Sequence, residues 1–203
     1  MMKVTLICAA LAVAALSAGL TGCAGVNADV RASNPATVLQ GERTYALART
    51  PLQEASPDHT QYETWVRTEL GKYGFADAPG QRAHYLLSIA YDTRLAAVGV
   101  DATGCANEGC SSPGQASFSW FGHRAYTHSL TLRFFEPASG HEAYKVSATS
   151  QDHDADPLHA IPYLVKSALA KFPFADHPDW RVKLRPDDAG GAPQVISVKP
   201  LQP

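Results

Sequence analysis

The chain has 203 residues, with 17 basic and 19 acidic side chains for a formal net charge of −2, and 45% of its residues are hydrophobic. A weakly acidic balance without a Lys/Arg cluster excludes nucleic acid as a partner, because phosphate recognition needs a basic patch. The length suits one domain with terminal extensions.

Residues 1–22 read as an address. Lys3 gives a positive start, and Val4 to Leu20 follow without a charge, the layout of a secretory signal peptide. A membrane-spanning helix needs about 20 apolar residues, commonly flanked by charges on both sides. This run is shorter, rich in Ala and Gly, and ends in Leu20-Thr21-Gly22-Cys23. Leu-x-Gly-Cys after such a run resembles the bacterial lipobox. The resemblance implies diacylglycerol on the Cys23 sulfur, cleavage before Cys23, and a further fatty acyl chain such as palmitate on the new amino group. The competing readings are an uncleaved anchor or an ordinary signal with a coincidental cysteine. Each buried methylene contributes about 0.8 kcal/mol, and two or more chains anchor stably. A triacylated Cys23 therefore fixes a domain to a bilayer without a spanning helix. Ala24 follows where Asp would favour the inner membrane in enterobacterial sorting. The expected location is the outer membrane, with the domain facing the periplasm. Losing residues 1–22 removes Lys3 and no acidic side chain, so the remainder carries −3.

Residues 23–40 read as a lipid-anchored tether, polar and interrupted by Pro35, with a short extended piece at Asp29–Ser33. "ERTYALART" (42–50) alternates as a strand. "SPDHTQYETWVRTELGKYGF" then predicts an amphipathic helix, with Ser56 as cap, Pro57 at the first helical position and Gly74 as a left-handed stop. "HYLLSIAYD" (84–92) is the next strand. "AYTHSLTLRFFEP" puts Tyr126, His128, Leu130, Leu132 and Phe134 on one face; "PASG" turns, and "HEAYKVSATS" returns. Alternation with one polar face marks an antiparallel sheet half exposed to water. A second helix follows Asp156-Pro157, and Pro162 predicts a late start, since proline suits only a first turn. Beyond Pro173 the composition reads as an exposed tail (175–203), in which "WRVKL" and "QVISVK" are candidate short strands. The expected fold is α+β: a two-layer sandwich at 41–174, with two helices on one face of a mostly antiparallel sheet of about four strands.

Three groups of side chains are candidate sites. Cys105 and Cys110, in "TGCANEGCSSPG", are the cysteines left after Cys8 and Cys23. An even pair in an exported chain reads as a disulfide stapling a small loop, contributing about 2 kcal/mol. Redox activity and metal ligation are the alternatives. The spacing is not C-x-x-C, and no second pair completes a Cys₄ zinc set. The long loop 99–124 that contains them ends in Phe118, Trp120 and Phe121, candidate partner contacts. The same aromatics would equally cover a sheet edge or core. "TSQDHDADPLH" gathers Asp152, His153 and Asp154 with Asp156 and His159, a candidate divalent-cation segment. Helix capping by Asp156, with the rest solvated, accounts for the same residues. EF-hand spacing and H-E-x-x-H are absent. So are G-x-S-x-G, S-x-x-K and the P-loop, so the expectation is no enzyme, no catalytic residues and no cofactor.

Taken in order, "RTYAL", the helix ending in "LGKYGF", the hairpin "HSLTLRFFEPASGHEAYKVSAT" and the final "KFPF" resemble the bacterial lipoproteins that carry domain of unknown function 4136. The resemblance covers about residues 28–174. Leu47 and Tyr144 stand where that family commonly has Trp, and 99–124 looks like an insertion. The resemblance implies an envelope lipoprotein with an α/β domain and no established activity. The favoured function is a non-enzymatic binding or structural domain for an envelope protein, peptidoglycan or lipid. A small-ligand or metal-binding module is the alternative.

Overall fold

The computed structural model describes residues 25–33, 39–78, 83–96, 124–187 and 191–202. Its eight strands are β1 (Val26–Ser33), β2 (Thr44–Ala48), β3 (Ala76–Asp77), β4 (Tyr85–Leu95), β5 (Tyr126–Phe135), β6 (Glu142–Asp152), β7 (Asp179–Arg185) and β8 (Gln194–Pro200). Its helices are α1 (Pro51–Ala55), α2 (His59–Gly71) and α3 (Pro157–Ala168). The strands form one mixed sheet in the order β3-β2-β4-β5-β6-β1-β7-β8. The pairings β2–β3 and β2–β4 are parallel, and the others are antiparallel.

This corrects the expected four-stranded, two-helix sandwich. Among the described residues the sheet has twice the strands, is mixed, and is accompanied by three helices. The largest difference lies at the chain ends. The segment read as a tether supplies β1, which sits between β6 and β7, and the segment read as a tail supplies β7 and β8. In β1 the inward residues are Ala28, Val30 and Ala32, all buried beneath α3. Small side chains there let the helix approach the sheet, but alanine is a poor strand former and leaves a weak alternation signal. In β7 the inward set is Trp180, Val182 and Leu184, a clean period-2 pattern hidden among prolines and aspartates.

The middle of the sheet follows the expected alternation. Leu87, Ile89, Leu130, Leu132, Phe134, Tyr144 and Val146 are buried, while Ser88, Arg133 and Lys145 lie on the opposite face. Val66 and Leu70 of α2 and Ile161, Leu164, Val165 and Ala168 of α3 close over the apolar side. Fully burying each Val, Leu or Ile among them contributes about 1.5–3 kcal/mol.

Helix boundaries shift for local reasons. Thr50 and Gln53 form a reciprocal capping box that starts α1, with Pro51 in its first turn. Ser56, expected to cap the long helix, instead ends α1, and α2 begins after Asp58. Gly74, at φ +77°, reverses the chain past α2 as anticipated. Asp156 Oδ1 accepts from Leu158 N at 2.9 Å and caps α3, with Pro157 next. Pro162 lies inside α3 and does not delay its start; its ring nitrogen leaves the Leu158 carbonyl without an intrahelical donor.

Candidate functional site

One end of the sheet collects the chemistry. Antiparallel pairing sets Leu95, the last residue of β4, against Tyr126, and Tyr126 against Asp152, the last residue of β6. β1 enters at this same end, with Val26 paired to Leu184 and Ala28 to Ser150. Cys23, Cys105, Cys110, Phe118, Trp120 and Phe121 lie outside the described residues.

At this end His128 of β5, Asp152 of β6 and His159 of α3 converge, each offering a ligand-type atom within 4.8 Å of the other two. His128 is 1% exposed, because its inward position on β5 puts it under the first turn of α3. Its Nε2 lies 3.2 Å from Asp152 Oδ1 and 3.0 Å from the Asp154 carbonyl oxygen. Its Nδ1 lies 2.9 Å from Thr93 Oγ1 on β4. His159 reaches back from α3: its Nε2 is 2.8 Å from Asp152 Oδ2, and its Nδ1 contacts the Asp156 carbonyl oxygen. The two imidazoles meet edge to face, with centroids 5.1 Å apart. Asp152 Oδ1 also accepts from the Asp154 backbone N–H at 2.9 Å.

The charges follow from these contacts. Burial alone would raise the Asp152 carboxyl. The hydrogen bond from His159, the Asp154 N–H and the two imidazoles outweigh it and hold Asp152 below the usual carboxylate range. Burial alone would lower His159. The Asp152 hydrogen bond, the Asp156 carbonyl and the charges of Asp152 and Asp154 outweigh it and raise this imidazole. A cavity of about 320 Å³ opens onto the pair, lined by Val26, Asp152, His153, Asp154, His159 and Tyr163 among others.

Of the three cation candidates read from the sequence, Asp152 stands at the centre. Asp154 contributes a backbone carbonyl and a carboxylate oxygen 3.6 Å from His159 Nδ1. His153 turns elsewhere, its Nδ1 lying 3.2 Å from the Arg124 carbonyl oxygen. Asp156 caps the helix as expected. His128 was the residue that local sequence reading passed over, since it lies 24 positions before Asp152. The strand register carries the signal. Across the β5–β6 pair His128 faces Ser150, which makes Asp152 its diagonal neighbour on the same face.

A second pocket, between β4 and α2, is lined by Arg49, Glu63, Tyr62 and Tyr91. Arg49 and Glu63 form a two-point ion pair there, and the tyrosine rings stack at 3.6 Å. Its volume of about 20 Å³ admits one water at most, so it is packing rather than a ligand site.

Fold and site together define a sheet domain with a His–Asp–His cluster at the end where β1 begins. The family model for DUF4136, a domain of unknown function, matches residues 29–174, and the chain belongs to that family. Among solved structures, it is similar to a PelC dodecamer from Paraburkholderia phytofirmans, at 16% identity and TM-score 0.43 over 74% of this chain and 99% of that one. It is also similar to a PDZ domain protein from Parabacteroides distasonis, at 11% identity and TM-score 0.46 over 79% of this chain and 40% of that one. Comparison with curated proteins finds no match.

Proposed function

We propose that this protein is an exported lipoprotein, cut before Cys23, acylated there and held at the outer membrane with its domain in the periplasm. The domain is a non-enzymatic binding module for an envelope protein, peptidoglycan or lipid. The observation that carries the reading is the position of β1: the folded sheet starts at Val26, three residues after the lipobox cysteine. Three residues span about 11 Å at most. An anchored Cys23 would therefore hold the cluster end of the sheet close against the bilayer. Membership in a family without assigned activity, and a sequence without a nucleophile motif, favour binding over catalysis.

A second reading, a small-ligand or metal-binding module, is favoured by the cavity beside Asp152 and His159.

Envelope fractionation with intact-mass measurement tests the anchor. The expected protein sediments with outer membranes, begins at Cys23 and carries acyl chains, and Cys23→Ser abolishes the acylation. A mass that includes Met1 and no lipid overturns the reading. For the binding role, Trp120→Ala with Phe121→Ala is expected to abolish cross-linking to the partner, and unchanged cross-linking counts against that loop.

A further inference from the structure

Counting hydrogens around Asp152 leads beyond a capping role. Among the described residues His159 Nδ1 faces only acceptors, the Asp156 carbonyl oxygen and, farther off, Asp154 Oδ2, so Nδ1 carries a hydrogen. The other ring nitrogen, Nε2, then points its lone pair at Asp152 Oδ2 from 2.8 Å. A neutral imidazole would set lone pair against lone pair there. Something positive must sit between the two atoms, either a proton or a metal ion. His128 presents the same choice from the other side. Its Nε2 faces Asp152 Oδ1 and the Asp154 carbonyl oxygen, which only accept, while its Nδ1 faces a hydroxyl that can either donate or accept. Turning the Thr93 hydroxyl round lets His128 move its hydrogen to Nδ1 and free Nε2 without loss of a partner.

We propose that His128 Nε2, His159 Nε2 and the Asp152 carboxylate bind one divalent metal ion of the zinc type, with a fourth position open to the adjoining cavity. Two imidazoles and a carboxylate are a borderline N/O donor set that suits zinc better than calcium or magnesium. Ligand–metal distances of about 2.0–2.1 Å place tetrahedral ligand atoms about 3.3 Å apart. The two N···O separations, 2.8 Å to Asp152 Oδ2 and 3.2 Å to Asp152 Oδ1, approach that spacing, and one ligand-type atom from each residue lies within 4.8 Å of the other two. The outer contacts suit the role as well. Thr93 Oγ1 would orient His128 through Nδ1, the Asp156 carbonyl would orient His159, and the Asp154 N–H would fix the carboxylate. One ligand is fully buried, and the other two are about one-third exposed at the cavity wall. This inference is independent of the membrane anchor, so failure of either leaves the other standing.

The test is calorimetric titration of zinc into chelator-treated full-length protein in detergent, with the cobalt(II) absorption spectrum as a second readout. One ion per chain is expected, with a cobalt spectrum of nitrogen and oxygen ligation. His159→Gln and Asp152→Asn should each weaken binding at least about 100-fold, and Thr93→Val about 10-fold. His159→Gln leaves the buried His128 in place. Should that variant fail to fold, Asp152→Asn and the wild-type cobalt spectrum decide. Absence of stoichiometric binding to the folded protein overturns the proposal. So does binding that both variants retain, or a cobalt spectrum with thiolate bands that traces the ion to Cys105 and Cys110.

Discussion

Two carboxylates in this molecule, one buried and one partly exposed, are neutralised in opposite ways. Glu69 of α2, its side chain 5% exposed, is held by Lys72 one turn on and by Lys166 from α3, whose Nζ lies 3.1 Å from Oε2. Both partners are ammonium groups that offer only donors, so the contact is a fixed rivet between α2 and α3. Asp152 is instead held by two imidazoles, whose ring nitrogens can exchange a hydrogen for a metal ion. Burial demands a counter-charge at each place, but only the second site can exchange it. A fixed cation makes structure, while an exchangeable one leaves room for a ligand.

The comparison breaks most easily at the rivet. Lys166→Met removes the better-buried partner of Glu69 and should cost about 2 kcal/mol, below the roughly 3–5 kcal/mol of a fully broken buried pair because Lys72 remains. Urea unfolding at pH 7 should show this loss. Next in size, Asp156→Ala removes the α3 cap and should cost about 1 kcal/mol, read by the same urea unfolding.

Asp152→Asn sharpens the contrast, because its effect depends on pH. His159 is raised in the folded metal-free protein, so its stabilisation is fully present below its unfolded pKa of about 6.5 and is lost as pH rises through the folded value. Asp152 is lowered, so its share is present above about pH 3.9 and is lost as pH falls through its folded value. The groups facing this pair are His128 from β5, Asp154 and Asp156 from the segment before α3, and His153 and Tyr163 at the cavity. Asp152→Asn should cost about 1 kcal/mol near pH 5.5, after allowing for partial exposure. That cost should vanish by about pH 8.5, where the asparagine amide can donate to a neutral His159. Smallest of all, Thr93→Val should cost about 0.5–1 kcal/mol, leaving the fold intact while removing the group that orients His128.

How legible these features were depended on where their signal lay. The β4–β5–β6 meander could be read because large side chains alternate along it, from Tyr85 and Leu87 through Phe134 to Val146. The flanking strands were legible only as fragments. Asp29–Ser33, "WRVKL" and "QVISVK" read as short extended pieces, but β1 buries alanines and β7 and β8 sit among residues typical of tails, so tertiary pairing alone decides that they join the sheet. α1 was missed although Thr50-Pro51-Leu52-Gln53 spells a capping box, because five residues show no hydrophobic period. At the site, the local run from Asp152 to Asp156 was visible as a cluster, whereas His128 joins it only through strand register. His153 illustrates the converse, a neighbour in sequence that points its ring at a different partner.

The most direct measurement is the nitrogen-15 spectrum of the His128 and His159 imidazoles, recorded near pH 7 with and without one equivalent of zinc. Without metal, His128 should carry its hydrogen on Nε2, and His159 should carry one on Nδ1. With zinc, both rings should keep a hydrogen on Nδ1 alone and show metal-shifted Nε2 signals. Spectra of both rings that are unchanged by zinc would contradict the account and leave the cluster as a helix cap with a buried histidine beside it.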